Sequence, residues 1–228
     1  MPSPRMKLNA RTFVLPALLL LCSARAASAQ SSAPAPAPEV GPVSIALVVD
    51  ASTSVGALDK AGGKQFLDSF ARFAAAEGGR DEFFIVKVST QASLYLDRTE
   101  DPAQVSKALG KLFSKREVGA TSLYDGCALG VQKLAGGTRE GRFVLLLSDG
   151  VDTLSTLKLE DVEDLLKRTG VRLFAIEVGQ GPPVREHSQD GFRNLEQLAQ
   201  ASGGAAYRVK KASEFDTILT SIRALLRR

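Results

Sequence analysis

The sequence predicts an α/β fold: a doubly wound, mainly parallel central sheet with one antiparallel edge strand, and helices on both faces. Apolar strand-like runs alternate with amphipathic helical segments from Val43 onward, an alternation typical of a parallel sheet covered by helices. The run from Val43 to Val49 is rich in β-branched residues, as expected of a strand that is buried on both faces. Only a short turn at Thr90 and Gln91 separates two later strand patterns. So short a link cannot hold a helical crossover, and it therefore predicts an antiparallel hairpin.

The first half of this region supplies three of the strands and two of the helices. Phe66, Phe70 and Phe73 recur at helical spacing, which places them on one apolar face of the first helix. Asp101 and Pro102 open the second helix, because proline suits the first helical turn. The hairpin consists of Phe83–Val88 and Leu94–Leu96, and the second helix carries Val105, Ala108, Leu109 and Leu112.

The second half continues the alternation. Its run Phe143–Leu147 is the most apolar of the strands and is predicted to lie at the centre of the sheet. The helix Leu159–Arg168 has acidic residues early, basic residues late and Gly170 just after it, as the helix dipole and a glycine C-cap favour. The remaining elements are a helix after Thr121, the strand Val171–Val178, the helix Asn194–Ala201, the strand Ala205–Val209 and the helix Ser213–Leu226.

The first 29 residues have the features of a secretory signal peptide. Basic residues come first, Thr12–Cys22 forms an apolar stretch of 11 residues, and Ala27–Ala29 offers a small-residue cleavage site. The apolar stretch is shorter than the ~20 residues that a membrane-spanning helix needs. Leu21 is bulky where attachment of a lipid to Cys22 needs a small residue. We therefore predict export, a periplasmic or secreted location, and no membrane span after cleavage of residues 1–29.

The charge of the chain is concentrated in this leader. Residues 1–29 hold four of the 29 basic residues and none of the 25 acidic residues, so the remainder is balanced with 25 of each. A balanced chain argues against nucleic-acid binding, whose affinity depends on a basic surface. Residues 30–42 are rich in Pro and Ala and predict an extended linker, and residues 43–228 form the predicted folded domain.

Oxygen-bearing side chains follow two apolar strands, and a further one lies between them in the sequence. Ligands of parallel α/β sheets collect beyond the carboxyl ends of the strands, so these loops are expected to converge. Two carboxylates and three hydroxyls suit a hard divalent cation, Mg²⁺ above all, and Mn²⁺ and Ca²⁺ are compatible with the same ligands. Mg²⁺ usually keeps some waters, so an open coordination position is expected. The predicted site residues are Asp50, Ser52 and Ser54, which alternate along one loop, together with Thr121 and Asp149.

With these residues in this order, the chain resembles the von Willebrand factor A (VWA) domain family, of bacterial secreted type, and its metal ion-dependent adhesion site (MIDAS). The family pattern D-x-S-x-S appears as Asp50, Ser52 and Ser54, its threonine as Thr121 and its third-loop aspartate as Asp149. The resemblance implies a Rossmann-like fold, three hydroxyl ligands, and two aspartates bound to the ion directly or through water. It also implies that the ion captures an Asp or Glu carboxylate of a protein partner, without catalysis.

Other classes explain the residues less completely. A haloacid dehalogenase-like phosphatase also places an aspartate at a strand end, but its general acid two residues later would be Ser52 here. A hydrolase triad is disfavoured because the G-x-S-x-G elbow is missing and the one histidine, His187, is interpreted as a loop residue. Asp50, Ser52 and Ser54 are also compatible with a turn that caps the next helix. A VWA scaffold with a vestigial site is the third alternative.

Three further residues have simpler interpretations. Asp125 and Asp152 lie close in sequence to predicted ligands, and we interpret them as a second layer around the ion or as surface or capping residues. Cys127 is the only cysteine after residue 29, so an internal disulfide is not possible in the processed chain. Its place in a helical pattern predicts a small, buried, apolar residue rather than a nucleophile.

Overall fold

The computed structural model describes residues 41–52, 60–76, 80–115, 117, 119–178 and 187–226. The predicted signal peptide and nearly all of the predicted linker lie outside these residues, so both stay predictions. Strands and helices alternate along the described chain in the order β1 (Val43–Asp50), α1 (Lys60–Ala75), β2 (Glu82–Val88), β3 (Ser93–Thr99), α2 (Pro102–Ser114), α3 (Leu123–Leu134), β4 (Gly141–Ser148), α4 (Leu159–Thr169), β5 (Arg172–Glu177), α5 (His187–Ala201), β6 (Ala205–Arg208) and α6 (Glu214–Leu226).

The strands form one six-stranded sheet in the order β3-β2-β1-β4-β5-β6. All neighbours are parallel except the edge strand β3, which pairs antiparallel with β2. The predicted fold class and the predicted hairpin are therefore confirmed. β4 lies at the centre beside β1, as its apolar sequence predicts, and Val49 pairs with Leu147. The carboxyl ends of β1 and β4 consequently meet at the same edge of the sheet.

Each face of the sheet is covered by its own layer of helices. On one face α1, α2 and α6 bury a phenylalanine-rich core, in which the rings of Phe66 and Phe215 pack edge to face with centroids 5.1 Å apart. On the other face α3, α4 and α5 bury a mainly aliphatic core that includes Cys127. Burial of each large side chain stabilises the fold by about 1.5–3 kcal/mol. The predicted buried position of Cys127 is confirmed.

Helix boundaries agree with the sequence where local signals set them. Asp101 accepts a hydrogen bond from the N–H of Ala103 at 2.8 Å and caps α2, which Pro102 begins. Gly170 ends α4 in the left-handed conformation with φ 66°, which glycine adopts at little cost. These contacts are local in sequence, which is why the residue pattern alone predicts them.

The predicted start of α5 at Asn194 was wrong, since the helix begins at His187. His187 therefore belongs to a helix rather than to the loop that we predicted. The sequence pattern indicates no helix here because glycine, as at Gly191, is less favourable than alanine in a helix interior by about 1 kcal/mol. The structure explains the glycine: a Cβ atom at Gly191 would overlap the carbonyl oxygen of Asp149. Gly191 thus allows α5 to pack directly on the loop after β4.

Buried polar groups form hydrogen bonds at the opposite edge of the sheet, where β1 and β2 begin. The carboxylate of Glu82 accepts hydrogen bonds from the hydroxyl of Ser44 at 2.7 Å and from the N–H and hydroxyl of Thr138 at 2.8 and 2.6 Å. Asp81 binds the guanidinium of Arg223 at 2.7 Å. These contacts join β1, β2, α6 and the α3–β4 connection at the edge far from the predicted site.

Among the described helices, none has the length and apolar character that crossing a bilayer requires.

Candidate metal site

The structure places the predicted site residues along the carboxyl edge of the sheet. Asp50 is the last residue of β1, Thr121 lies two residues before α3, and Asp149 directly follows β4. Ser52 lies two residues past β1, and it is buried like Asp50 and Thr121. Ser54 lies outside the described residues. Four of the five predicted ligands can therefore be located, and all four lie at this edge, Asp50 at the end of β1 and the other three in loops.

Asp50 is a buried carboxylate, with only 3% of its surface exposed. Its Oδ1 accepts a hydrogen bond from the N–H of Ser52 at 2.9 Å, and its Oδ2 accepts one from the hydroxyl of Ser148 at 2.7 Å. Burial raises the pKa of Asp50, the hydrogen bonds from Ser52 and Ser148 oppose that shift, and the negative charge of Asp149 adds to it. No described Lys or Arg forms a salt bridge with Asp50 or Asp149. Buried carboxylates are normally paired with a cation or bind a metal.

The chain continues from Asp50 in an extended conformation. The N–H of Ala51 donates to Val88 at 2.8 Å, and Ser52 forms a parallel bridge with Glu117. In an extended segment, side chains two residues apart face the same side. The side chain of Ser52 also opposes the rise in the pKa of Asp50. The predicted alternation is thus present for the first two residues of the pattern.

Thr121 is held by its backbone and not by its hydroxyl. Its N–H donates to Thr153 Oγ1 at 2.8 Å, and its carbonyl accepts from the N–H groups of Thr153 and Leu154. Within the described part of the chain, no hydrogen bond uses the Thr121 hydroxyl. A threonine hydroxyl carries two acceptor lone pairs, which a cation can use.

Asp149 lies in a tight turn that glycine makes possible. Its Oδ1 accepts from the N–H of Val151 at 3.0 Å. Gly150 has φ 81°, and a Cβ atom there would overlap the carbonyl of Gly191 in α5. Asn194 adds a hydrogen bond to the Gly150 carbonyl at 3.2 Å. The position of Asp149 is therefore set by α5, which the sequence pattern did not predict.

Ser148 is a functional candidate that the residue pattern did not indicate. It is the last residue of β4 and fully buried, and its hydroxyl joins two loops by donating to Asp50 and accepting from the N–H of Gly150 at 3.0 Å. The available signal was a polar residue directly after the apolar run Phe143–Leu147. Such a position indicates a side chain with a hydrogen-bonding role at the strand end.

Glu177 adds a third carboxylate at this edge. It ends β5, pairs in register with Ser148 and forms an ion pair with Arg208. Burial raises its pKa, Arg208 opposes that shift, and Asp149 adds to it. Because Arg208 balances its charge, we do not include Glu177 among the candidate ligands. No cluster of three or more His, Cys, Asp or Glu side chains suited to a metal occurs among the described residues.

Asp125 and Asp152 bind backbone groups near the site, and Cys127 lies in the core. Asp152 accepts backbone hydrogen bonds at the start of α3, and Asp125 accepts them from the N–H groups of Thr156 and Leu157. Asp152 therefore caps α3, whereas Asp125, in the first turn of α3, binds the backbone of the loop that precedes α4. Burial raises the pKa of the Cys127 thiol to about 12, which agrees with its interpretation as an apolar core residue rather than a nucleophile.

The sequence comparison defines the class of protein. The family described as von Willebrand factor type A domain matches residues 44–221. The chain therefore belongs to the VWA domain family. No curated protein matches the chain in sequence.

Solved structures with the same fold come from diverse sources. An aerotolerance-related membrane protein from Bacteroides fragilis is 16% identical with a TM-score of 0.60, covering 81% of this chain and 98% of that one. The vWF domain of a type V pili tip protein from Porphyromonas gingivalis is 14% identical with a TM-score of 0.60, covering 83% and 97%. Proximal thread matrix protein 1 from the mussel byssus, solved with zinc in its MIDAS motif, is 18% identical with a TM-score of 0.62, covering 80% of this chain and 47% of that one. This chain thus spans about half of the mussel protein, and identities this low show the fold alone.

Proposed function

We propose that this protein is an exported interaction domain that binds a protein partner through a divalent cation. The observation that carries the proposal is the buried carboxylate of Asp50, which lies within electrostatic reach of Asp149 and has no described basic partner. Two carboxylates without a cationic side chain suit a divalent ion, which favours their ionised forms. The VWA family and the zinc-bearing MIDAS of the mussel protein support the same conclusion.

In this proposal each ligand has a separate task. Asp50 and Asp149 balance the charge of the ion, and Ser52, Ser54 and Thr121 supply oxygens without adding charge. When bound, the ion provides a hard Lewis-acidic site with a position open to an anionic oxygen. A glutamate or aspartate of the partner fits that position, because hard cations prefer carboxylate oxygen. Mg²⁺ is the proposed ion, and Mn²⁺ or Ca²⁺ suits the same ligands.

We further propose that the domain does not catalyse a reaction. Ser52 stands where a haloacid dehalogenase-like phosphatase needs its general acid, and it is buried against Asp50. A hydroxyl cannot protonate a leaving group as a carboxylic acid does. Assay of a generic phosphate ester with Mg²⁺ tests this point. Sustained turnover that Asp50→Asn abolishes would contradict the proposal and favour the phosphatase.

Partner binding provides the main test. We expect proteins captured from the source cells by the immobilised domain to be released by EDTA. Thr121→Ala is the informative variant, because the Thr121 hydroxyl contributes no described hydrogen bond and its removal costs the fold little. Thr121→Ser is the matched control, since it keeps the hydroxyl. Once a captured partner is purified, equal affinity of wild type and Thr121→Ala, or full binding in EDTA, would show recognition by another surface.

A further inference from the structure

A network of hydrogen bonds joins the residues around Thr121 to the loop that follows Asp149. We refer to residues 121–125 as the Thr121 segment and to residues 152–157 as the adjoining loop. The N–H of Thr121 donates to Thr153 Oγ1 at 2.8 Å, and its carbonyl accepts from the N–H of Thr153 at 2.9 Å and of Leu154 at 3.1 Å. These contacts fix the backbone of a proposed metal ligand without using its hydroxyl.

Asp152 binds the start of α3 from the adjoining loop. Its Oδ1 accepts from the N–H groups of Leu123 at 2.7 Å and Tyr124 at 3.3 Å. Ser122 occupies the N-cap position but makes no side-chain cap hydrogen bond. The first N–H groups of a helix lack partners within the helix. A carboxylate from another part of the chain therefore performs the capping and ties the helix start to the adjoining loop.

Asp125 makes the reciprocal connection. Its two carboxylate oxygens accept from the N–H groups of Thr156 and Leu157, both at 3.0 Å, and its own N–H donates to Ser155 Oγ at 3.1 Å. Ser155 in turn donates its hydroxyl and its N–H to the carboxylate of Asp152. Each segment thus supplies an aspartate that binds the backbone of the other. Hydrogen bonds from both aspartates therefore hold the Thr121 segment and the adjoining loop together.

We propose that Asp152 and Thr153 are positioning residues that hold Thr121 and Asp149 as one preformed half of the metal site. The inference rests on the proposed function, because it concerns the same ion. Asp152 lies three residues after Asp149 and caps the helix that Thr121 precedes, so the network spans the two loops. The Asp50 half is joined separately, through the hydroxyl of Ser148.

The physical consequence is an effect on metal affinity that exceeds the effect on folding. Groups that orient metal ligands typically change affinity by about 10–100-fold when they are removed. We expect Asp152→Ala to weaken binding of Mn²⁺ by at least about tenfold, since the start of α3 and Thr121 lose their anchor. Asp152→Asn keeps the acceptor for Leu123 and Tyr124 and loses only the acceptor of the Ser155 N–H, so it is expected to stay within about threefold of wild type.

The experiment is titration of the full chain with Mn²⁺ alone, with free ion measured by electron paramagnetic resonance. Affinities are measured at a temperature at which circular dichroism shows each variant to be folded. Thr153→Val removes the acceptor of the Thr121 N–H at an exposed position, whereas Thr153→Ser keeps it. This second pair retains the test if Asp152→Ala does not fold. Glu82→Gln is the control for loss of stability alone, because Glu82 accepts several hydrogen bonds at the opposite edge of the sheet.

The outcomes separate this inference from the proposed function. Loss of affinity in Asp152→Ala and Thr153→Val, with Asp152→Asn, Thr153→Ser and Glu82→Gln near wild type, supports positioning. Wild-type affinity in folded Asp152→Ala or Thr153→Val overturns it. Equal loss in Asp152→Asn and Asp152→Ala also overturns it, because the variant that keeps the cap on α3 would then bind no better than the variant that removes it. Failure of the wild-type chain to bind Mn²⁺ overturns the proposed function itself, and this inference with it.

Discussion

The substitution Gly191→Ala is expected to destabilise the protein, although alanine favours helices more than glycine does. Gly191 lies inside α5, where the change adds about 1 kcal/mol of helix propensity. The new Cβ atom overlaps the carbonyl oxygen of Asp149, which belongs to the backbone and cannot rotate away. Inserting an atom into such a contact costs about 1–3 kcal/mol or more. Less the gain in helix propensity, we therefore expect a net loss of up to about 2 kcal/mol in the free energy of unfolding.

The chain offers a matched control for this prediction. Gly110 lies inside α2, and a Cβ atom there would lie 3.7 Å from the side chain of Leu67, an ordinary contact. Gly110→Ala is therefore expected to stabilise the protein by up to about 1 kcal/mol. Urea unfolding of both variants measures the difference, and thermal unfolding is expected to show shifts of about 2–4 °C per kcal/mol in opposite directions. Stabilisation by both substitutions would refute the packing of α5 against the Asp149 loop.

Three other predictions concern single buried groups. Ser148→Ala leaves an oxygen of Asp50 and the N–H of Gly150 without their partner, so urea unfolding is expected to show a loss of about 1–3 kcal/mol; a loss below about 0.5 kcal/mol would contradict the role of the hydroxyl as a link. Burial tends to raise the pKa of Glu82, but its hydrogen bonds and a nearby arginine outweigh that effect and lower it below the ordinary 4.5. The contribution of the Glu82 carboxylate to stability is therefore complete above the unfolded pKa and is lost as pH falls through the folded pKa. The difference in unfolding free energy between wild type and Glu82→Gln, measured with urea, is expected to shrink below about pH 4.5. A constant difference between pH 6 and pH 3 argues against this account. The buried Cys127 thiol, with its pKa raised to about 12, is expected to react with a thiol reagent only after unfolding, and rapid labelling of the native protein would show that it is accessible.

The sequence predicts those parts of the fold that depend on local or periodic signals. The hairpin follows from the short turn at Thr90 and Gln91, and the central place of β4 follows from its uninterrupted apolar run. The start of α5 was not predicted, because the reason for Gly191 is a contact with a residue 42 positions earlier in the chain. In the sequence, a glycine that permits a close contact cannot be distinguished from a glycine that ends a helix.

The candidate site shows the same limit. Asp50, Thr121 and Asp149 were predicted because each follows or precedes a recognisable element, and the structure places all three at one edge of the sheet. The role of Ser148 was missed, since its partner Asp50 lies 98 residues away in sequence. Asp152 was compatible with several roles until the structure showed that it caps a helix 29 residues earlier. Contacts between distant loops depend on the packing of the whole sheet, which residue patterns alone do not specify.

The central claim is that Asp50 and Asp149 bind a divalent cation together, and calorimetric titration with Mg²⁺ tests it most directly. We expect the wild-type chain to bind one ion per molecule, and Asp149→Asn to remove that binding while the protein stays folded. Bound Mg²⁺ at about 100 times its dissociation constant is also expected to raise the free energy of unfolding by about 2.7 kcal/mol. No heat of binding with Mg²⁺ or Mn²⁺ in the wild type, together with equal stability in EDTA and in either ion, would contradict the account.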